Sequence, residues 1–303
     1  MRKFVLLFFI SFSFLAAQNV SVEKVERITD SDMEFYYPQF SPDGNELLLT
    51  SENYSGLWLY NLNENRVEEL NDFNGAGYQA KFTNDGSSVI FRADEFDGLK
   101  KYSSLIMQNL QSKEKKTLKE RSRHLTTAEV VNNKAVFLED KNLQSVEVET
   151  NLNKTFNEEE ISVLIEDQKI ALVQNGEKKI LSPLGDGNYV WASVSPDNAK
   201  LLFNFVGRGT FISDLDGNIL NEIGYANAPK WSDDGKFIVY MKDYDDGQRF
   251  TDSEIYAYSL ESGREFQLTD SEEEIEMYPV WDKNRVAYNT INGQIFVMEL
   301  KID

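Results

Sequence analysis

Apolar and polar positions alternate along most of this chain in short runs, the pattern of strands whose side chains point to opposite faces in turn. At residues 36–51, YYPQFSPDGNELLLTS, one such run enters a turn and another leaves it. Pro42 presets φ, Ser41 and Asp43 carry short side chains that bond nearby backbone N–H groups, and Gly44 can take a positive φ, so these four residues predict a tight turn. The construction recurs as YQAKFTNDGSSVIFRA from Tyr78, YVWASVSPDNAKLLFN from Tyr189, ANAPKWSDDGKFIVYM from Ala226 and, with the turn eroded, MYPVWDKNRVAYNT from Met277. The anchors before each turn are Phe40, Phe82, Val194, Trp231 and Trp281, at steps of 42, 112, 37 and 50 residues. A unit of about forty residues with four short strands predicts a propeller blade, which cannot bury its apolar faces alone and stacks around an axis.

The step of 112 residues must hide degenerate copies. Within 124–183, TTAEVV, KAVFLED, QSVEVET, ISVLIED and KIALVQNGEKKIL all have strand patterning, and Asn175-Gly176 is a hairpin turn. They make one blade with an inserted hairpin or two trimmed blades. The first option is favoured, which predicts an all-β, six-bladed propeller with seven blades as the alternative. ERITDSDMEFYYPQF (26–40) also lines up with FQLTDSEEEIEMYPVW (266–281), while the last copy stops at Asp303 one strand short. Residues 21–29 are therefore expected to supply the outer strand of the last blade, pairing with 294–300 and closing the ring.

These residues resemble the TolB-type, WD40-like β-propeller repeat of bacterial envelope proteins. The resemblance rests on Leu268, Thr269, Pro279, Trp281, Gly293, Ile295 and Phe296, and again on Ile28, Thr29, Pro38, Phe40, Ser41, Pro42, Asp43 and Gly44. It covers most of 21–303 and is weakest over 124–183. It implies a module that binds proteins or small ligands at the funnel over the central axis. TolB itself carries an additional N-terminal α/β domain that this sequence does not match, so its Tol-Pal role is not carried over.

Composition adds compartment and charge. The chain has 303 residues, 41% hydrophobic and 13% aromatic, enough for a large core despite a mean hydropathy of -0.46. It has no cysteine, which removes disulfides, thiolate metal sites and a cysteine nucleophile. Residues 1–18 place Arg2 and Lys3 before the twelve-residue apolar run Phe4 to Leu15 and small residues at Ala16 and Ala17. This is the pattern of a secretory signal, too short to span a bilayer, with no cysteine for a lipid. Residues 19–303 then form a single propeller domain, periplasmic or secreted and monomeric. The formal charge of -20 repels nucleic acid and anionic lipid and attracts basic proteins or divalent ions.

Little in the sequence suits catalysis. His124 is the one histidine, and there is no G-x-S-x-G turn, which leaves a Ser-His-Asp arrangement or a histidine-ligated metal undersupplied. Asp43, Asp85, Asp197 and Asp234 recur in the turns, where they are expected to cap backbone N–H groups. The loop Asp243 to Glu254 has the twelve-residue length of a calcium loop, with Asp243, Asp245 and Glu254 as weak Ca2+ candidates. Its glycine is one place early, and Arg249 intrudes, so no cofactor is expected. The strand approaches at one mouth carry Tyr36, Tyr37, Tyr78, Tyr189, Trp191 and Tyr278; loops on that face carry Asn53, Tyr54, Asp94, Phe96, Arg208, Tyr244 and Arg249. Of these, Tyr36, Tyr54, Tyr78, Tyr189, Trp191, Tyr278, Arg208 and Arg249 are the candidate partner-binding residues, since aromatics with polar tips suit protein recognition. Non-enzymatic binding to envelope or extracellular proteins is the favoured function. Carbohydrate or small-ligand binding is the alternative and glycan cleavage by paired carboxylates the third.

Overall fold

A computed structural model of the protein describes residues 19–30, 32–150 and 160–303, in which the strand patterning closes into a ring of seven antiparallel sheets. After β1 (Val20–Arg27), blade 1 is β2 (Tyr36–Phe40), β3 (Glu46–Thr50), β4 (Leu57–Asn61) and β5 (Arg66–Asn71). Blade 2 is β6 (Lys81–Phe82), β7 (Ser88–Asp97), β8 (Lys100–Asn109) and β9 (Lys115–Ser122). Blade 3 is β10 (Glu129–Val131), β11 (Lys134–Glu139) and β12 (Asn142–Glu147), and blade 4 is β13 (Ile161–Glu166), β14 (Lys169–Gln174) and β15 (Glu177–Leu181). Blade 5 is β16 (Tyr189–Val194), β17 (Lys200–Phe205), β18 (Gly209–Asp214) and β19 (Ile219–Gly224). Blade 6 is β20 (Asn227–Trp231), β21 (Phe237–Asp245), β22 (Phe250–Ser259) and β23 (Glu265–Gln267). Blade 7 is β24 (Glu276–Asp282), β25 (Arg285–Thr290), β26 (Ile295–Ile302) and the returning β1. Residues 1–18, on which the expected export signal falls, lie outside the described residues.

The expectation of six blades is overturned, because residues 124–183 make two sheets and not one. β13 forms no ladder with β12; it pairs with β14 and stacks face to face between its neighbours, with Val136, Leu138, Leu164, Ala171 and Val173 forming the apolar seam. At the place of the Ser-Pro-Asp-Gly turn these two blades have two-residue connections, Asn132-Asn133 and Asp167-Gln168 (φ 48 and 65), and their second and third strands are joined by two-residue hairpins at Asp140-Lys141 (φ 48 and 65) and Asn175-Gly176 (φ 51 and 81). Two consecutive positive φ values are the mark of the turn that matches strand twist. Of these connections only Asn175-Gly176 carries the glycine that announces such a turn.

β1 lies antiparallel to β26, Val20 opposite Ile302 and Arg27 opposite Phe296. Beyond the ladder, Ile28 N–H donates to Ile295 C=O at 2.9 Å and Phe35 N–H to Gly293 C=O at 2.7 Å. The ring is thus closed by backbone bonds that occupy an otherwise bare strand edge. Between blades the packing is dry: Phe237 stacks on Trp281 at 5.3 Å between blades 6 and 7, and Leu48, Leu57, Phe82, Val89 and Phe91 fill the seam of blades 1 and 2. Gly77 permits close approach at that seam, since a Cβ there would stand 1.9 Å from Thr50 Oγ1.

The repeated aspartates are turn caps. Ser41 Oγ donates to Asp43 at 2.6 Å, the Asn45 N–H donates to the same carboxylate at 3.0 Å, and Thr83–Asp85, Ser195–Asp197 and Ser232–Asp234 repeat the hydroxyl–carboxylate bond. Together Ser41 and Asn45 hold the Asp43 carboxyl below its usual range.

Candidate functional site

The innermost strands share a local irregularity. Their register shifts between Tyr36 and Gln39, Val190 and Ser193, Asn227 and Lys230, and Met277 and Val280. Within each bulge one residue is left-handed: Tyr37 (φ 53), Trp191 (φ 51), Ala228 (φ 47) and Tyr278 (φ 54), with Gln79 (φ 54) in the corresponding place of blade 2. A bulge turns one side chain out of the strand's alternation. Here the same backbone device presents a residue at the same level of five blades, and the residue's identity decides what is presented.

In blades 1 and 7 the residue so presented is a tyrosine, and Tyr54 on the β3–β4 loop and Tyr78 beside Gln79 in blade 2 join them. Tyr78 meets Tyr54 edge to face at 5.2 Å, Tyr54 stacks on Tyr37 at 4.4 Å, and Tyr37 leans on Tyr278 at 4.5 Å. The four rings form one continuous arc. Burial first, then the neighbouring Tyr54 and Tyr278 phenols, push the Tyr37 hydroxyl well above its ordinary range, so it stays a neutral donor. Tyr78 remains 40% exposed and is the accessible end of the arc.

At that end lies a cleft of about 410 Å³, lined among others by Asn53, Tyr54, Asn74, Tyr78, Arg92 and Asp94. Arg92 stands over the Tyr78 ring at 5.5 Å and binds Asp94 at 3.0 Å; Lys101 and the Ser103 hydroxyl reach the same carboxylate at 2.9 and 2.6 Å. Burial opposes charge on Asp94, but these partners outweigh it and keep the carboxyl below its usual range. At the other end Asp243 accepts from Asn227 at 2.6 Å, while Tyr225 and Tyr244, both more than half exposed, approach to 6.4 Å.

Two hairpins wall the arc. β7, β8 and β22 have ten residues each and β21 nine, against five in β3 and six in β25. The three to five extra residues, at about 3.3 Å each, lengthen the strands of these hairpins by roughly 10–16 Å relative to those of blades 1 and 7 between them.

Tyr54, Tyr78 and Tyr278 are thus brought together, with Tyr37 linking them. Tyr36 lies beneath, 9% exposed, its hydroxyl donating to Ile291 C=O at 3.4 Å. Tyr189 is buried in the seam of blades 4 and 5, where its hydroxyl donates to Gly185 C=O and accepts from Leu184 N–H. Trp191 is half-buried and packs against the core of blades 6 and 7. Arg208 lies over Phe205 and Phe211, and Arg249 pairs with Asp246 at 3.8 Å, each on its own hairpin. Of the calcium candidates, Asp243 is held by Asn227, Asp245 caps Gly247 N–H, and Glu254 is buried against Ser271 N–H. Among the described residues no three His, Cys, Asp or Glu side chains are grouped to hold a metal ion. Arg92 and Tyr225 were not singled out from sequence; a lone arginine inside the apolar run VIFRA was the available signal for the first.

The axis carries charge as well. Lys81 pairs with Glu129 at 3.0 Å, and Lys230 of blade 6 feels both. Groups so far apart in sequence meet only because each faces the axis. Lys230 is exposed, yet the surrounding protein limits the hydration of its amine; that first, then Lys81, pulls the amine down to about 8 against the opposing Glu129.

No protein-family profile and no curated protein matches the sequence. Solved structures do match in shape. A protein assigned as TolB in Agrobacterium tumefaciens is 15% identical, with 95% of this chain and 98% of that one covered and a TM-score of 0.50. An oligogalacturonate lyase in complex with manganese is 12% identical over 94% and 96%, at 0.53, and a chain of a mitotic checkpoint complex is 11% identical over 98% and 99%, at 0.61. The likeness is one of fold. The chain is a β-propeller consistent with a TolB-type repeat, and its neighbours in shape include both an enzyme and a component of a protein assembly. No helix among the described residues is long and apolar enough to cross a membrane.

Proposed function

We propose that this protein is a non-enzymatic propeller of the bacterial envelope, periplasmic or secreted, that binds another protein at the tyrosine mouth of blades 2, 1 and 7. The unbroken arc of Tyr78, Tyr54, Tyr37 and Tyr278 carries this reading. Packed tyrosines offer rigid apolar area with polar tips and lose little rotamer freedom on binding, which is why such residues dominate recognition hot spots. The signal-like residues 1–18 and the repeat's resemblance to envelope propellers support the compartment. The test is a pull-down from envelope extract with the mature protein and with a Tyr54→Ala, Tyr278→Ala variant. Partners captured by the wild type and lost by the variant are expected; identical captures would remove the mouth from the proposal.

A second reading has its own observation. The cleft beside Tyr78 combines ring faces with the amides of Asn53 and Asn74 and the Asp94 carboxylate, a mixture that also suits a sugar. Retention on envelope polysaccharide without release of reducing ends would favour that reading, and release of reducing ends would overturn the non-enzymatic one.

A further inference from the structure

The mouth is acidic where it is aromatic. Glu34 and Glu52 stand near Tyr36 at the foot of the arc, and Asp245 and Asp252 lie on the blade 6 hairpin that walls it. Among the described residues none of these four carboxylates meets a lysine or arginine in an ion pair, and all four are exposed. Of the cations nearby, Arg92 and Lys101 are held on Asp94 at the blade 2 end and Arg249 pairs with Asp246, so none of them is paired with these four carboxylates. A floor of tyrosine rings inside a rim of uncompensated carboxylates attracts cations twice, through ring quadrupoles and through the rim's field.

We propose that the occupant of this mouth is a lysine- or arginine-rich extended segment of a partner protein, lying across blades 1 and 7 between the two hairpins. This rests on the reading of the mouth as a protein-binding surface and names the chemistry of its partner. The walls favour a strand or loop over a broad convex surface, because a partner must enter between the longer hairpins of blades 2 and 6 to reach Tyr37 and Tyr278. The net charge of -20 draws such a segment from a distance, while the rings and the four carboxylates give it a place to stop.

Because any protein this acidic attracts a polycation weakly, the test compares the two rims of the ring. A fluorescein-labelled peptide of alternating lysine and serine is titrated by fluorescence anisotropy against four folded, thermally matched proteins at several salt concentrations. These are the wild type, the mouth variant Glu52→Gln, Asp245→Asn, Asp252→Asn, the tyrosine variant Tyr54→Ala, Tyr278→Ala, and a control with equal charge removed from the opposite rim. The control is Glu64→Gln, Asp216→Asn, Glu261→Gln, in the turns that close the outer strands of blades 1, 5 and 6. The expected result is a dissociation constant raised about tenfold in the mouth and tyrosine variants and less than about twofold in the control, with a shallower salt slope for the mouth variant. Equal weakening by mouth and far-rim neutralisation would overturn the inference. If the tyrosine variant lost its envelope partners in the pull-down while the mouth variant kept them, the general reading would stand and the cationic partner would fall.

Discussion

Lys230 shows what a closed ring does to one side chain. In sequence it is an ordinary lysine two places after Ala228; in the ring it faces the axis beside Lys81, and its amine is pulled down to about 8. Near pH 7.5 roughly a quarter of such an amine is neutral, against about one in a thousand for an ordinary lysine. A limiting dose of an acylating reagent at that pH should modify Lys230 ahead of every other lysine, as read by peptide mass spectrometry; uniform labelling would contradict the lowered value. Other residues declared themselves in advance. Ser41, Asp43 and Gly44 form the expected capped turn because its hydrogen bonds are local, spanning two to five residues. The fates of Tyr36 and Tyr189 were not legible, since whether a tyrosine on an inner strand faces a seam or the mouth depends on a bulge and on the neighbouring blade.

Among elements, the seam of blades 6 and 7 is the one built to respond to pH. Glu254 on β22 and Glu276 on β24 are 7% and 3% exposed, and each leaves one carboxylate oxygen without a partner. Burial first, and the Glu254 charge second, push the Glu276 carboxyl up to about 8. Since the folded value lies above the unfolded one, this group's contribution to stability is complete below about pH 4.5 and is lost as pH rises through 8. Glu276→Gln should therefore flatten the fall in melting temperature between pH 5 and 8 and stabilise the protein at pH 8 by on the order of 2 kcal/mol. Parallel melting curves for the two proteins across that range would refute this. Lys230, with a lowered value, acts in a separate window: its contribution grows as pH rises from about 8 towards 10.5. Strand existence was legible throughout, including in 124–183. Blade membership there was not, because a strand's pattern says that it is half-buried without saying whether it extends a sheet or starts the next.

For the whole molecule, stability rests on closure. Each blade buries its faces only against its neighbours, so one open seam exposes two apolar surfaces and two strand edges at once. Removing residues 19–27 would strip β1 from β26 and uncover Val297 and Met298, which it faces. The truncated protein should lose its cooperative melting transition or melt at least about 10 °C lower, and associate in size-exclusion chromatography, while a truncation ending before Val20 should not. Unchanged melting without β1 would mean that closure contributes little.

The amino-acid order by itself determined the strands, the turn chemistry, the repeat of about forty residues and the return of the first strand to the last blade. Each of these is written in local hydrogen bonding or in a periodicity that survives without knowing the neighbours. Only the tertiary structure decided that the ring has seven blades, that Tyr37, Tyr54, Tyr78 and Tyr278 converge while Tyr189 is buried, and that Lys230 and Glu276 leave their ordinary ranges. Those outcomes depend on which faces stack and how far groups hundreds of residues apart are brought together, distances that no local pattern encodes.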